Sequence, residues 1–149
     1  MSREVPTDAI RVSAMLLDLV AAVLAHEREV TGALPAESHR RTLFRQIQTF
    51  IEQRLGDPTL APVMIAAAHH ISPRTLHRLF EPHGSTAAEW IRVQRLDRCR
   101  RDLADPSLHG TPVHAIAARW GLSSAAHFSR VFRTAYGLSP QDYRSRMSR

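Results

Sequence analysis

IAARWGLSSAAHFSRVF, residues Ile116–Phe132, decides the fold. Phe128, Val131 and Phe132 recur at the spacing of one helix face, and Tyr136 continues it. Ahead of them, Ala117 and Ala118 belong to a short apolar stretch that ends at Trp120-Gly121. Glycine can take the left-handed backbone conformation of a tight turn, and small alanines let two helices cross closely. The segment therefore reads as a short helix, a turn and a second helix, which is a helix-turn-helix unit. Its echo lies 51 residues earlier, in IAAAHHISPRTLHRLF, Ile65–Phe80. Ile65 matches Ile116, Ala66-Ala67 matches Ala117-Ala118, and Ile71 matches Leu122. The second copy then has one extra residue, after which Leu76 matches Phe128, Arg78 matches Arg130 and Phe80 matches Phe132. One such unit is weak evidence, because paired short helices are common in all-α cores. Two in tandem say much more.

Working outward, Thr86-Ala87-Ala88-Glu89 has the spacing of a capping box and opens a longer helix to about Ala104. That helix is roughly 28 Å long at about 1.5 Å per residue. Its apolar positions Trp90, Ile91, Leu96, Cys99 and Leu103 can hold both units in a fixed relation. Successive major-groove segments on one face of B-DNA lie about 34 Å apart, so such a rod suits two reading heads. Pro62 starts a short helix to about His69, Ser72-Pro73 caps the next, and Pro82 with Gly84 ends it. After the break at Asp105-Pro106-Ser107, Thr111-Pro112 starts again, Ser124 restarts after Gly121, and Gly137 stops. Ser139-Pro140 caps a last turn containing Tyr143. Upstream, Leu43, Phe44, Ile47, Phe50, Ile51 and Leu55 share a helix ending at Gly56-Asp57-Pro58. A wide apolar face runs through Ile10–Leu24, between a start at Pro6-Thr7-Asp8 and a stop at Thr31–Pro35. The expectation is an all-α chain of about seven to nine helices: two helix-turn-helix subdomains joined by a long linker helix, plus an N-terminal helical segment.

The 149 residues can hold one ordinary domain, or a small one with an appendage, and 44% apolar residues suffice for packed cores. No stretch approaches the length of a membrane span, and none reads as a signal peptide. The single cysteine, Cys99, allows no disulfide within the chain and fits a reducing cytoplasm. Residues 1–56 carry seven arginines and seven acids, whereas residues 57–149 carry thirteen arginines and seven acids. The whole net charge of +6 thus lies on the part that holds the repeat. A phosphate-rich partner is the natural reading, although a merely solvated basic surface would carry the same charge. Every basic residue is arginine, a fork that grips phosphate or a guanine edge with two bonds, though GC-rich coding gives the same bias.

From about Ile47 to Arg146 the chain resembles the DNA-binding domain of the AraC/XylS family of bacterial transcription regulators. The residues that carry the resemblance are ISPRTLHRLF, WIRVQRLDRCRRDL, IAARWGLSSAAHFSRVFR and YGLSPQDYR. It implies a cytoplasmic, nucleoid-associated bacterial protein that binds double-stranded DNA near a promoter and recruits or obstructs RNA polymerase, with no cofactor or metal. The boundaries that follow are 1–46 for the N-terminal segment and 47–146 for the DNA-binding domain. Within the latter, the units fall at about 62–83 and 112–136, with the linker helix at 86–104.

Carried over position by position, the resemblance places base-facing residues of the first unit at Arg74, His77 and Arg78. Either arginine can pair with guanine O6 and N7, and His77 can donate or accept. In the second unit the corresponding positions are Ala125, Ala126, Ser129 and Arg130. Ser72, Thr75, Ser124 and Arg133 are the expected phosphate contacts, the serines because they open helices whose N–H groups favour phosphate. Two positions depart from the family's pattern. Ala125 and Ala126 stand where longer polar side chains are frequent, and alanine can touch a thymine methyl but makes no hydrogen bond. Cys99 stands where alanine is common, and its spacing makes it a core residue rather than a redox one. Full-length relatives often place a ligand-binding barrel ahead of this domain, whereas residues 1–46 resemble only its closing helices. The chain reads either as a naturally short regulator or as the tail of a longer one. The Ile10–Leu24 stripe either folds onto residues 43–55 or pairs with a second chain, as a homodimer or a heterodimer.

Other chemistries have little to stand on. His69, His70, His77 and His83 cluster but lack ligand spacing, and His127 reads as a surface residue or phosphate neighbour. Ser123 and Ser124 lack a nucleophile elbow, Cys99 lacks an activating setting, and no phosphate-cradling glycine loop occurs, so an enzyme is not expected. The serious alternative is a truncated paralogue that restrains a longer regulator through its N-terminal helices and binds little DNA itself.

Overall fold

The computed structural model describes Val20 and residues 36–148. The chain divides into two compact units between Leu43 and Phe44. Before the division, residues 36–43 are helical, and Arg41 Nε lies 3.5 Å from Glu37 Oε1 one turn earlier. Of the apolar stretch Ile10–Leu24 only Val20 is described, helical and 53% exposed; the rest, and the stop at Thr31–Pro35, lie outside the described residues.

The helix over 36–53 (α1) buries Ile47 and Ile51, one turn apart, with Leu55 just beyond its end. Next come α2 (Pro62–Ala68), α3 (Pro73–Phe80), α4 (Ala87–Ala104), α5 (Val113–Arg119), α6 (Ala125–Tyr136) and α7 (Pro140–Met147), with 3-10 turns at Glu81–His83 and Pro106–Leu108. There is no strand among the described residues. The punctuation follows the expected chemistry. Thr86 and Glu89 close a full capping box on α4, and Gly84 and Gly137 take left-handed conformations where α3's tail and α6 stop.

The two cores share one helix. Leu60, Ile65, Leu76, Leu79 and Phe80 are buried in the first unit, where the rings of Phe44, Phe80 and Trp90 meet edge to face. Buried Ala87 and Ile91 lie on the same half of α4 as Trp90. The other half gives Leu96, Cys99 and Leu103 to a cluster with Ile116, Ala117, Leu122, Phe128 and Phe132. Val131, Tyr136 and Tyr143 pack against that cluster, and Tyr143 is brought there by α7. Burial pushes the Cys99 thiol up to about 12, so it stays protonated and unreactive.

The repeat is visible in the backbone. In the first unit the His70 N–H donates to Ala67 and the Ile71 N–H to Ala66; in the second, Gly121 donates to Ala118 and Leu122 to Ala117. Each pair closes its first helix with the same left-handed turn. Gly121 adopts φ +75° without a Cβ penalty, but His70 holds φ +53° with a side chain. Because His70 is exposed, His70→Gly is expected to raise stability by about 0.5–1 kcal/mol, the balance of relieved strain against glycine's greater chain entropy. A urea denaturation midpoint that falls would refute this.

Candidate nucleic-acid interface

The second helix of each unit is fixed at its start by a serine. The Ser72 hydroxyl accepts from the Thr75 N–H at 3.1 Å, and the Ser124 hydroxyl accepts from the His127 N–H at 3.3 Å. Ser72 Oγ also lies 2.9 Å from Thr75 Oγ1. Those two hydroxyls hold two protons and spend one on each other, which leaves one for an outside acceptor. Both helices then turn an apolar side inward: Leu76, Leu79 and Phe80 on α3, Phe128 and Phe132 on α6.

The residues expected to face DNA are among those left outside. Arg74, His77 and Arg78 are exposed and lie within one turn of each other on α3. Ala125, Ala126, Ser129, Arg130 and Arg133 are exposed on α6, with Ala126, Ser129, Arg130 and Arg133 following one face. Ser72, Thr75 and Ser124 are exposed at the helix starts. His127 is exposed as well.

Electrostatics sharpen the picture. Neither α3 nor α6 contains an acid. Six of the seven acids in residues 57–149 are already engaged. Asp57 and Asp105 hold tight turns, Glu89 completes a capping box, and Asp142 bonds Ser139 at the start of α7. Asp97 takes Arg100 at 2.8 Å and Arg101 at 2.7 Å. Asp102 accepts from Trp120 Nε1 at 2.8 Å, with Arg119 at 3.5 Å. Among the described residues Arg74, Arg78, Arg130 and Arg133 make no ion pair. Six acids are thus consumed in holding the scaffold, with Glu81 alone left over at the end of α3, and the exposed arginines of α3 and α6 remain open to an outside anion. No group of three or more His, Cys, Asp or Glu able to hold a metal ion occurs among the described residues, and no helix there is long and apolar enough to cross a membrane.

Two features escaped the reading of the sequence. One is a repeated turn: Asp57-Pro58-Thr59 and Asp105-Pro106-Ser107 precede the two units, and each aspartate accepts from the N–H and hydroxyl two residues on. These bonds hold both carboxyls below the ordinary value of 3.8, through Thr59 for Asp57 and Ser107 for Asp105. A folded pKa below the unfolded one gives stability that is present above the unfolded value and is lost as pH falls through the folded one. Acid unfolding is therefore expected to steepen below about pH 4, and an Asp57→Asn, Asp105→Asn double variant to lose stability there more gradually. Equal acid slopes in a pH series of denaturation curves would contradict it.

The other is Arg95, counted with the basic residues but 8% exposed. Its Nε donates to the Leu55 carbonyl at 2.9 Å and its Nη2 to the Asp57 carbonyl. Burial pulls its pKa below the usual value, opposed by the Asp57 charge. A signal existed: Ile91, Arg95, Cys99 and Leu103 succeed one another every four residues along the inward stripe of α4.

With this geometry in place, the chain's relatives are informative. A family described as a helix-turn-helix domain matches residues 65–146, more than half of the chain. The transcriptional activator NphR of a Rhodococcus species is 35% identical over 141 residues, which are 95% of this chain and 41% of that protein. The chain thus spans less than half the length of this curated relative. The C-terminal domain of AraT, a response regulator from Geobacillus stearothermophilus, is 26% identical with a TM-score of 0.64, covering 69% of this chain and 84% of that one. A transcriptional regulator from Chromobacterium violaceum, of the class containing AraC-type DNA-binding domains, shares the fold at a TM-score of 0.65 and 23% identity, over 75% of this chain and 97% of that one. The match over residues 65–146 means that the chain belongs to the AraC-type helix-turn-helix family, and the two like units on one shared helix agree with it.

Proposed function

We propose that the chain binds double-stranded DNA sequence-specifically by seating α3 and α6 in successive major grooves of a promoter site. The observation that carries this reading is the pair of serine-capped, acid-free helices whose exposed faces hold Arg74, His77 and Arg78 in one unit and Ser129, Arg130 and Arg133 in the other. Arg74, His77 and Arg78 read bases in one half-site. Ala125, Ala126, Ser129 and Arg130 face bases in the other, where the two alanines offer only apolar contact. Ser72, Thr75, Ser124 and Arg133 take phosphates, the serines mainly through the helix starts that they shape. The domain bounds 47–146, with units at about 62–83 and 112–136 and the linker at 86–104, belong to the same reading. So do action on RNA polymerase, a bacterial cytoplasmic and nucleoid setting, pairing with a second chain through Ile10–Leu24, and the lack of any catalytic step or cofactor.

Selection of bound sites from a random DNA pool tests it. Two half-sites about one helical turn apart are expected, the α6 half less sharply defined. Affinity for the selected site should fall with salt at a log–log slope of about −0.9 per neutralised phosphate. Arg74→Ala and Arg78→Ala should each cost about 1–3 kcal/mol on that site and relax base preference in one half only. Uniform weakening on all sequences would instead make these arginines phosphate anchors. A flat salt dependence, or no retained DNA, would return the chain to the alternative of restraining a longer paralogue by protein contact.

A further inference from the structure

Arg95 sits where three parts of the molecule meet. From α4 its guanidinium donates to the Leu55 and Asp57 carbonyls, in the segment that leads from α1 into the first unit. Its other side lies against Gly121, the turn residue of the second unit: a Cβ added there would stand 2.8 Å from the guanidinium carbon and 2.8 Å from Nη2. Next to this contact the same loop touches the second unit directly, since a Cβ on Gly56 would stand 2.8 Å from the Arg119 carbonyl oxygen. Two turns further along α4, Asp102 holds Trp120 and Arg119. The α5–α6 turn is therefore held between its own linker helix and the loop of the other head.

A hydrophobic side chain at 95 would fill space without direction. A guanidinium with two carbonyl partners fixes an orientation as well, because each donor points along one line in the plane of the fork. Placed midway along α4, between the residues committed to each core, it controls the angle at which the second head leaves the first.

We propose that Arg95 is a positioning residue that sets the register between the two reading heads, so that the spacing of the half-sites is read as strictly as their bases. The inference rests on the two-groove reading above. One base pair added between half-sites moves the second groove by about 3.4 Å along the axis and about 35° around it, from the ten or so base pairs of a helical turn. A pair of heads locked at Arg95 cannot follow that displacement, whereas a loosened pair can.

The test uses the selected site with one base pair inserted or deleted between its halves. The unaltered protein should lose at least about tenfold in affinity on either changed site, comparable to a mismatched base pair or more. Arg95→Met, which keeps volume but neither donates nor points, should lose less than about threefold on the same change, and Arg95→Lys should recover part of the discrimination. Gly56→Ala, which must push the loop from the Arg119 carbonyl, is a second route to the same loosened phenotype should Arg95→Met fail to fold. A distance measurement without DNA separates the inference from the reading beneath it. Spin labels on Glu81→Cys and Ala135→Cys, both exposed, avoid the buried Cys99 and report the distance between the heads. One narrow distance in the parent that broadens in the Arg95 variants supports the lock even if no DNA is bound. A folded Arg95→Met with an unbroadened distance, or with undiminished spacing discrimination, overturns it.

Discussion

Phe132→Ala should cost about 3–5 kcal/mol of stability, the largest effect expected of any single substitution in the second unit. The ring is fully buried and three others meet it: Phe128 at 5.4 Å, Tyr136 at 4.7 Å and Tyr143 at 5.6 Å between centroids. Those partners come from α6 and α7, so truncation opens a cavity that no single helix can close by shifting. Since domains of this size are stable by only about 5–15 kcal/mol, the variant would unfold in mild denaturant. Arg133→Ala, one residue along and exposed, is the natural control and should stay within about 0.5 kcal/mol of the parent. Urea denaturation followed by far-ultraviolet circular dichroism distinguishes them. Similar midpoints would mean that the second core does not depend on this ring.

Gly121→Ala is expected to cost about 2–4 kcal/mol, for two separable reasons. Its φ of +75° is one that alanine adopts only with strain, and its missing Cβ is the space in which the Arg95 guanidinium lies. Gly137 shares the same φ, but a Cβ there would meet nothing within 4 Å. Gly137→Ala therefore carries the backbone strain alone, about 1 kcal/mol, and the excess at Gly121 measures the displacement of Arg95. Arg95→Met should abolish most of that excess, since a thioether can yield where a bonded guanidinium cannot. Equal costs at the two glycines in any background would show that Arg95 moves freely.

What could be read in the sequence and what could not divides along a physical line. The helix starts at Ser72-Pro73, Thr86–Glu89, Ser124 and Ser139-Pro140 are all present because capping is a contest between a side chain and backbone groups two or three residues away. The exposure of Arg74, Arg78, Ser129 and Arg130 follows from helical period once Leu76, Phe80, Phe128 and Phe132 are assigned to the core. Arg95 was less legible, since its partners are backbone carbonyls of Leu55 and Asp57, and any residue type carries a carbonyl. Only the misfit of a charge on the Ile91–Leu103 stripe marked it. Both Asp-Pro breaks were legible, but not that the second echoes the first, because the echo falls at 48 residues rather than at the 51 of the helices, the loops after the two turns differing in length. Ser72 and Ser124 show how a correct location can conceal a busy atom. Both hydroxyl oxygens accept a bond from their own helix, which restricts where each remaining hydroxyl proton can point.

The shared use of α4 bears on how the domain folds. Ala87 and Ile91 are buried on one half of that helix, and Leu96, Cys99 and Leu103 belong to the core on the other. An 18-residue helix in water is marginal alone, so each core supplies the docking that keeps the helix formed for the other. The heads duplicate each other in shape but not in thermodynamic independence. Damage to either should be felt by both, and residues 44–148 should melt as one cooperative transition rather than as two beads on a string.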